Sequence, residues 1–335
     1  MNVVGEVRLP SAWLRLAGSA APCRRAAPCN GSQYVYYFYR NKSLWQSPRN
    51  EIPTWRCLNP PLTPPTVDEV VAAHAALRAS KPLVQAITNT VSTNFVANVL
   101  LAAGASPAMV DNPEEAGLFA GIADGLLINL GTPTAAQVES MRLAAAAAQK
   151  AGRPWVLDPI AAGGPPRRGG VAAELLRFRP AAVRGNASEI IGLAGLGGGA
   201  RGVDSSSDPS AAVPAALELL AHASAVSASG AVDHVVGRIE GRAAPIRVGG
   251  GSAWLPLVTA TGCALGGLVA AYAGVSPDAL TALVAAHVHF AVAAEIAEVD
   301  AKGPGRFASA FLDVLYLTDE ASLLARAKIE RPVFL

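Results

Sequence analysis

The chain has 335 residues, 51% of them hydrophobic and 16% charged, with a formal net charge of +2. That suffices for a sizeable core in one large α/β domain or two smaller ones. No basic block exceeds an arginine pair such as Arg167-Arg168, so no nucleic-acid surface is expected. Apolar runs such as 143–148 and 265–275 are too short and alanine-rich to span a bilayer, and no transmembrane segment is expected.

Residues 1–65 stand apart. They hold three of the four cysteines (Cys23, Cys29, Cys57), three of the five tryptophans and four of the six tyrosines. Five arginines but one acid, Glu6, fall in the first 40. The cysteine spacings match no zinc pattern. The stretch Tyr34-Val35-Tyr36-Tyr37-Phe38-Tyr39 would make a short strand, and Pro60-Pro61-Leu62-Thr63-Pro64-Pro65 closes the segment like a linker. The reading is a disordered N-terminal extension, a targeting peptide or a start-site artefact, followed by a domain over 66–335. With no apolar core of the secretory type, a cytoplasmic location is expected.

From Val67 onward strands and helices alternate. Val67 to Ser80 reads as a helix capped by Thr66, 83–88 as a strand, and 92–103 as a helix stopped by Gly104. A short strand over 108–110 precedes a helix opened by Pro113-Glu114-Glu115, proline first and acids in the first turn. The apolar run 125–130 is of buried-strand type, 134–151 is a long helix ended by Gly152, and 155–158 is the next strand. Two more strands fall at 181–184 and 223–227, a hairpin at 235–248, and helices at 263–273, 277–299 and 307–316 fill the last ninety residues. This rhythm predicts a mostly parallel sheet covered on both faces, with ligands outside the carboxyl ends of the strands.

The loops at those ends carry the chemistry. Thr88-Asn89-Thr90-Val91-Ser92-Thr93-Asn94 sets two asparagines, Asn89 and Asn94, among four hydroxyls, suited to a small uncharged polar ligand, with Ser92 or Thr93 also available to cap the next helix. Met109 can wall a ring or fill a core. Gly131-Thr132 ends a strand before a helix as a candidate anion site. Asp158 ends another strand before a proline, where it can face a cleft or form a turn. Arg184-Gly185-Asn186-Ala187-Ser188-Glu189 gathers guanidinium, amide and carboxylate at a helix start. Asn186 and Glu189 fit a capping box, and the arginine ahead of them suits phosphate. No Gly-x-x-x-x-Gly-Lys-Ser/Thr occurs, so this is not a P-loop chain. The five histidines show no paired metal spacing beyond His287-x-His289, which a helix splays onto different faces. Finally, Thr259-Ala260-Thr261-Gly262-Cys263 runs into an apolar helix, placing the only cysteine after Cys57 in its first turn. Free N–H groups there attract anions and draw a thiol toward thiolate. A small buried hydrophobe is the plainer reading of that cysteine.

Taken in order, Ile87-Thr88-Asn89, Asn94-Phe95-x-Ala97-Asn98, Gly104-Ala105-Ser106-Pro107-x-Met109, Val156-Leu157-Asp158-Pro159, Arg184 to Glu189, Gly202-Val203-Asp204-Ser205, Ser229-Gly230-x-Val232-Asp233, Thr259 to Cys263 and Lys302-Gly303-Pro304-Gly305 closely resemble the hydroxyethylthiazole kinase family of the ribokinase-like superfamily, over roughly residues 67–330. The resemblance implies a three-layer αβα ribokinase-like fold. It implies transfer of the ATP γ-phosphate to the primary alcohol of 4-methyl-5-(2-hydroxyethyl)thiazole, a salvage step toward thiamine. On it Met109 and Ala260, with Asn89 and Asn94, serve the thiazole. Arg184 and Ser229, with Gly131 and Thr132, serve ATP. Asp158 and Glu189 organise Mg²⁺ through waters, Gly262 shapes an anion hole, and Cys263 takes the place of the base. A homotrimer with the pocket at the subunit boundary is also implied. Gln85 stands where the pattern has histidine, Ala161 where it has glycine, Ser229 where it has threonine, and the 163–168 loop departs from the pattern. A related kinase for hydroxymethylpyrimidine or another small alcohol, a non-catalytic thiazole- or nucleotide-binding protein, and a thiol enzyme are the alternatives.

Overall fold

The computed structural model describes residues 61, 63–196 and 208–330, all within one compact unit, 53–335. Expectations for residues 1–60 and for the Gly202-Val203-Asp204-Ser205 turn lie outside the described residues. In chain order the elements are α1 (Val67–Ser80), β1 (Leu83–Ile87), α2 (Thr93–Ala103), β2 (Ser106–Ala108), α3 (Pro113–Ile122), β3 (Gly125–Asn129), α4 (Ala135–Ala151) and β4 (Trp155–Asp158). They continue as α5 (Pro166–Leu175), β5 (Ala182–Asn186), α6 (Ala187–Leu193), α7 (Val213–Leu219), β6 (Ala225–Ser229), β7 (Asp233–Ile239) and β8 (Arg242–Gly249). The chain ends with α8 (Thr261–Ala273), α9 (Ala279–Glu298), α10 (Pro304–Leu317), α11 (Glu320–Arg326) and β9 (Lys328–Glu330).

The strands form one nine-stranded sheet in the order β2-β1-β3-β4-β5-β6-β7-β8-β9. The first six are mutually parallel and the last three join antiparallel. Alternation along each strand decides which layer a side chain meets. Ala86, Leu127, Val156 and Ala182 enter one core, against α1, α2, α8, α9 and α10. Ile87, Ile128, Leu157 and Val183, each one residue on, enter the other, against α3 to α7. The next residue in each strand returns to the first face. Asn129, Asp158 and Arg184 therefore all point toward α8, and this register builds the site.

Local chemistry explains most boundaries. Thr66 and Glu69 form a capping box on α1, and Asn186 and Glu189 form the expected one on α6. Some readings need correction. The second strand is Ser106–Ala108, not 108–110, because its pairing with Leu83–Gln85 ends at Ala108 and the Val110 carbonyl is bonded by Gln85 Nε2 at 2.9 Å. Residues 163–168 are not all loop, since Pro166 opens α5 from its first position, where a missing N–H costs nothing. The final ninety residues are not all helical, because β9 pairs with β8 as the outermost strand of the sheet. Neither Ser92 nor Thr93 caps α2 with its side chain. Asn89 organises that turn instead, accepting from Ser92 N through Oδ1 at 3.1 Å. Among the described residues one helix, α9, is long and apolar enough to cross a membrane, and 89% of its apolar window is buried in the fold.

Candidate functional site

At the carboxyl ends of the parallel strands the polar side chains bond in series. Asn89, just past β1, donates Nδ2 to Asn129 Oδ1 at 3.0 Å. Asn129 Nδ2 donates to Asp158 Oδ2 at 2.7 Å, from the position directly opposite it in the register. Arg184 Nη1 lies 3.7 Å from the same Oδ2, and Arg184 Nη2 donates to Ser229 Oγ at 2.6 Å. Ser229 Oγ in turn donates to the Gly185 carbonyl at 3.1 Å. Five adjacent strands, β1, β3, β4, β5 and β6, thus contribute to one network. Asn129, Asp158 and Arg184 are buried.

Helix α8 covers this row, and two glycines four residues apart let it lie close. A Cβ at Gly262 would meet Arg184 Nη1 at 3.1 Å, and one at Gly266 would meet Asp158 Oδ2 at 3.3 Å. The helix starts from Ala260 in the left-handed region (φ 70°) with no side-chain cap. Non-glycine residues avoid that conformation, and where they hold it the site is often functional. Thr261 Oγ1 ties the turn back to the Leu255 and Val258 carbonyls at 3.0 and 3.1 Å. The uncapped first turn thus presents N–H groups beside the Arg184 guanidinium. Cys263, half-buried, sits in that turn with Asn89 Nδ2 3.7 Å from its Sγ.

The electrostatics follow from burial. Desolvation pushes the Asp158 carboxyl up to about 7. The Glu189 charge adds to the rise, and Arg184 with the Asn129 bond offsets only part of it. Burial, with the Asp158 charge behind it, also pushes the Cys263 thiol up. The expectation that the helix start would draw this thiol toward thiolate is therefore corrected: burial raises it instead. Within this row, two buried atoms make no hydrogen bond to the protein, Asp158 Oδ1 and Arg184 Nε. The first lacks a donor or a cation, the second an acceptor.

The remaining residues are placed unevenly. Gly131 N donates to Asn129 Oδ1 at 3.1 Å, and a Cβ there would strike Asn89 Nδ2 at 2.3 Å, so Gly131 belongs to the network. Thr132, exposed and with φ 39°, lines a separate pocket of about 280 Å³ with Pro165, Arg167 and Arg168. Glu189 accepts from Asn186 N at 2.8 Å and Ala161 N at 3.3 Å, joining the loop after β4 to α6 while its charge reaches Asp158. Ala161 is left-handed (φ 58°), which explains a glycine in the pattern at this position. Gln85 is buried and holds β1 to the Val110 and Ala116 carbonyls, so its amide is a strut. Met109 packs half-buried at the sheet edge, and Asn94 is exposed on α2, where its carbonyl and Oδ1 accept from Asn98. Neither joins the network. Asn129 is the member that sequence reasoning left unassigned. Its signal was an amide closing the all-apolar strand Gly125-Leu126-Leu127-Ile128, level with Asp158.

A profile of the hydroxyethylthiazole kinase family matches residues 75–320. The chain is 61% identical over 266 residues to hydroxyethylthiazole kinase of Rhodococcus erythropolis (strain PR4 / NBRC 100887), covering 79% of this chain and 95% of that protein. It is 54% identical over 241 residues to the protein of the same name from Clavibacter sepedonicus, covering 71% and 86%. The solved structure of a hydroxyethylthiazole kinase protein from Pyrococcus horikoshii OT3 superposes with a TM-score of 0.71 at 36% identity, over 79% of this chain and 99% of that one. A ribokinase-like superfamily protein from Enterococcus faecalis V583, at 13% identity and a TM-score of 0.51, shares the fold. With the profile spanning most of the chain and the fold in agreement, the chain belongs to the hydroxyethylthiazole kinase family.

Proposed function

We propose that this chain transfers the γ-phosphoryl group of ATP to the primary alcohol of 4-methyl-5-(2-hydroxyethyl)thiazole, a salvage step toward thiamine. The observation that carries the reading is the pair of buried, unsatisfied groups, Asp158 Oδ1 and Arg184 Nε, beneath an uncapped helix start. Family membership supplies ATP as co-substrate. Hard oxygen donors suit Mg²⁺, which keeps waters and phosphate oxygens in its shell and needs few protein ligands. Asp158 would hold it, with Glu189 behind. Bound there, Mg²⁺ neutralises phosphate charge.

Phosphoryl transfer through a loose transition state asks the protein mainly for positioning and charge neutralisation. Arg184, steadied by Ser229, takes phosphate oxygens from β5, with Gly131 in the same network and Thr132 on the adjoining pocket beside Arg167 and Arg168. The first-turn N–H groups at Gly262 and Cys263 take the oxygens of the transferred group. Asn89 presents its amide toward the alcohol, and Ala260 and Met109 wall the thiazole. Cys263 receives the alcohol proton through its minor thiolate form, so its contribution is modest at neutral pH and grows as pH rises. Asn94 and Met109 lie apart from the network within one chain, and we assign the closing of that side to a second copy in a homotrimer. The exposed Leu118 and Ile122 on α3 and Leu101 on α2 favour such assembly. ATP-dependent phosphorylation of hydroxyethylthiazole by the purified protein, read by mass spectrometry, tests the function. No phosphorylated product would refute it.

A further inference from the structure

On the α9 side of β6 lies a second buried polar series outside the catalytic row. His287 Nδ1 meets Asp233 Oδ2 at 2.6 Å, and His287 Nε2 meets Ser227 Oγ at 3.0 Å. Aspartate, imidazole and hydroxyl in that order match the sequence of groups in a serine hydrolase. Ser227 is completely buried mid-strand and His287 is 1% exposed, so no substrate reaches the hydroxyl. The series has a structural object instead. Asp233 Oδ1 accepts from Gly230 N at 2.9 Å, closing the turn between β6 and β7. That turn begins at Ser229, whose hydroxyl receives Arg184. One carboxylate therefore spans a buried ring and the turn behind the arginine. An ionised carboxylate only accepts, so Nδ1 carries the proton in this contact.

We propose that His287 is a positioning residue for the nucleotide: through Asp233 it fixes the 230–233 turn, and with it the Ser229 hydroxyl that orients Arg184. The inference rests on reading Arg184 and Ser229 as nucleotide contacts. His287 acts at second hand, from a helix whose neighbours are otherwise core. Its Nδ1 arm carries the effect, and its Nε2 arm to Ser227 only anchors the ring.

Two amides separate the arms. His287→Asn sets its Nδ2 donor near the place of Nδ1 and keeps the bond to Asp233. His287→Gln reaches the place of Nε2 and keeps only the bond toward Ser227. The Kd for ATP, measured by calorimetry on the full chain, should weaken about three- to tenfold in His287→Gln, the scale of one hydrogen bond. It should stay near wild type in His287→Asn and in Ser227→Ala, and the KM for the thiazole alcohol should be unmoved in all three. Equal weakening in the Asn and Gln variants, or none in Gln, overturns the inference. If His287→Gln does not fold, Asp233→Asn tests the same carboxylate, with weaker ATP binding expected and an unchanged Kd overturning it. Failure of wild type to bind ATP, or an Arg184→Ala variant that binds it normally, overturns the nucleotide assignment itself.

Discussion

Asp158 gives the sharpest pH prediction. Its carboxyl is fully buried and pushed up to about 7. Against the ordinary value of 3.8, the charged form is disfavoured by about 4 kcal/mol, at 1.36 kcal/mol per unit. In the free protein at pH 6 only about a tenth of the molecules carry the carboxylate, and at pH 8 about nine tenths do. A metal–nucleotide that requires the ionised form should therefore bind about tenfold more weakly at pH 6 than at pH 8. Binding at pH 7 should release about half a proton from this group. Calorimetric titration of Mg–ATP in two buffers of different ionisation enthalpy reads both quantities. The nucleotide's own titration cancels in the difference between wild type and Asp158→Asn, a variant with no carboxyl to ionise. A wild-type affinity following that of Asp158→Asn across pH 6–8 would refute the assignment of Asp158 to the metal–nucleotide.

Other consequences are checked more simply. Arg184→Ala should raise the KM for ATP about ten- to a hundredfold, the loss of a charge-assisted bond worth roughly 1.5–3 kcal/mol, and should leave the KM for the alcohol nearly unchanged. Cys263→Ala should lower kcat by roughly 10–10³-fold, a single base's contribution or less, and flatten the alkaline rise of kcat that the raised thiol predicts. Ala161→Gly should raise stability by about 1 kcal/mol in urea denaturation, because it relieves a left-handed alanine while the Glu189 bond to its N–H remains. His74, lowered to about 4, and His289, lowered to about 3, stay neutral in the fold but take up protons when unfolded below about 6.5. They cost stability as pH falls. Asp158 acts the opposite way between 3.8 and about 7, so acidification from pH 6 to 5 should destabilise the protein by about 1 kcal/mol, and by about twice that in Asp158→Asn.

Much of the fold was legible because local rules and tertiary packing agree in this chain. The cap at Thr66, the capping box at Asn186, the glycine stops at Gly104 and Gly152, and the apolar strand expected over 125–130 and found over 125–129 each appear where the residues place them. The misplaced strands share a cause, that the deciding partner lies far away in sequence. The short strand at Ser106–Ala108 is set by its pairing to Leu83–Gln85, and β9 by an open edge at Arg247–Gly249. The site was legible as a set of strand ends but not as a connected network. Nothing local marks Asn129 as the link between Asn89 and Asp158, which requires β1, β3 and β4 to be neighbours. The thiol of Cys263 was misjudged for the same reason. A helix start is visible in sequence, but the burial and the Asp158 charge that raise the thiol come from the sheet below.

The arrangement at Asp158 and Arg184 also bears on the order in which a ligand is recognised. Their side chains approach to 3.7 Å, longer than a charge-assisted hydrogen bond, and each keeps a buried atom without a partner. A buried pair at that distance recovers little of its desolvation cost, and burial keeps the carboxyl near 7 despite the arginine. The resting site is therefore poised short of full ion pairing. On the proposed reading, an anion alone would satisfy Arg184 Nε but set negative charge beside Asp158. A cation alone would satisfy Asp158 Oδ1 but oppose the guanidinium. A metal–phosphate group carries both charges in one ligand and completes both partners together. Metal and nucleotide should for that reason bind with positive coupling, each strengthening the other reciprocally. On that reading the unsatisfied pair under α8 would serve as the selectivity element for a metal-bound nucleotide.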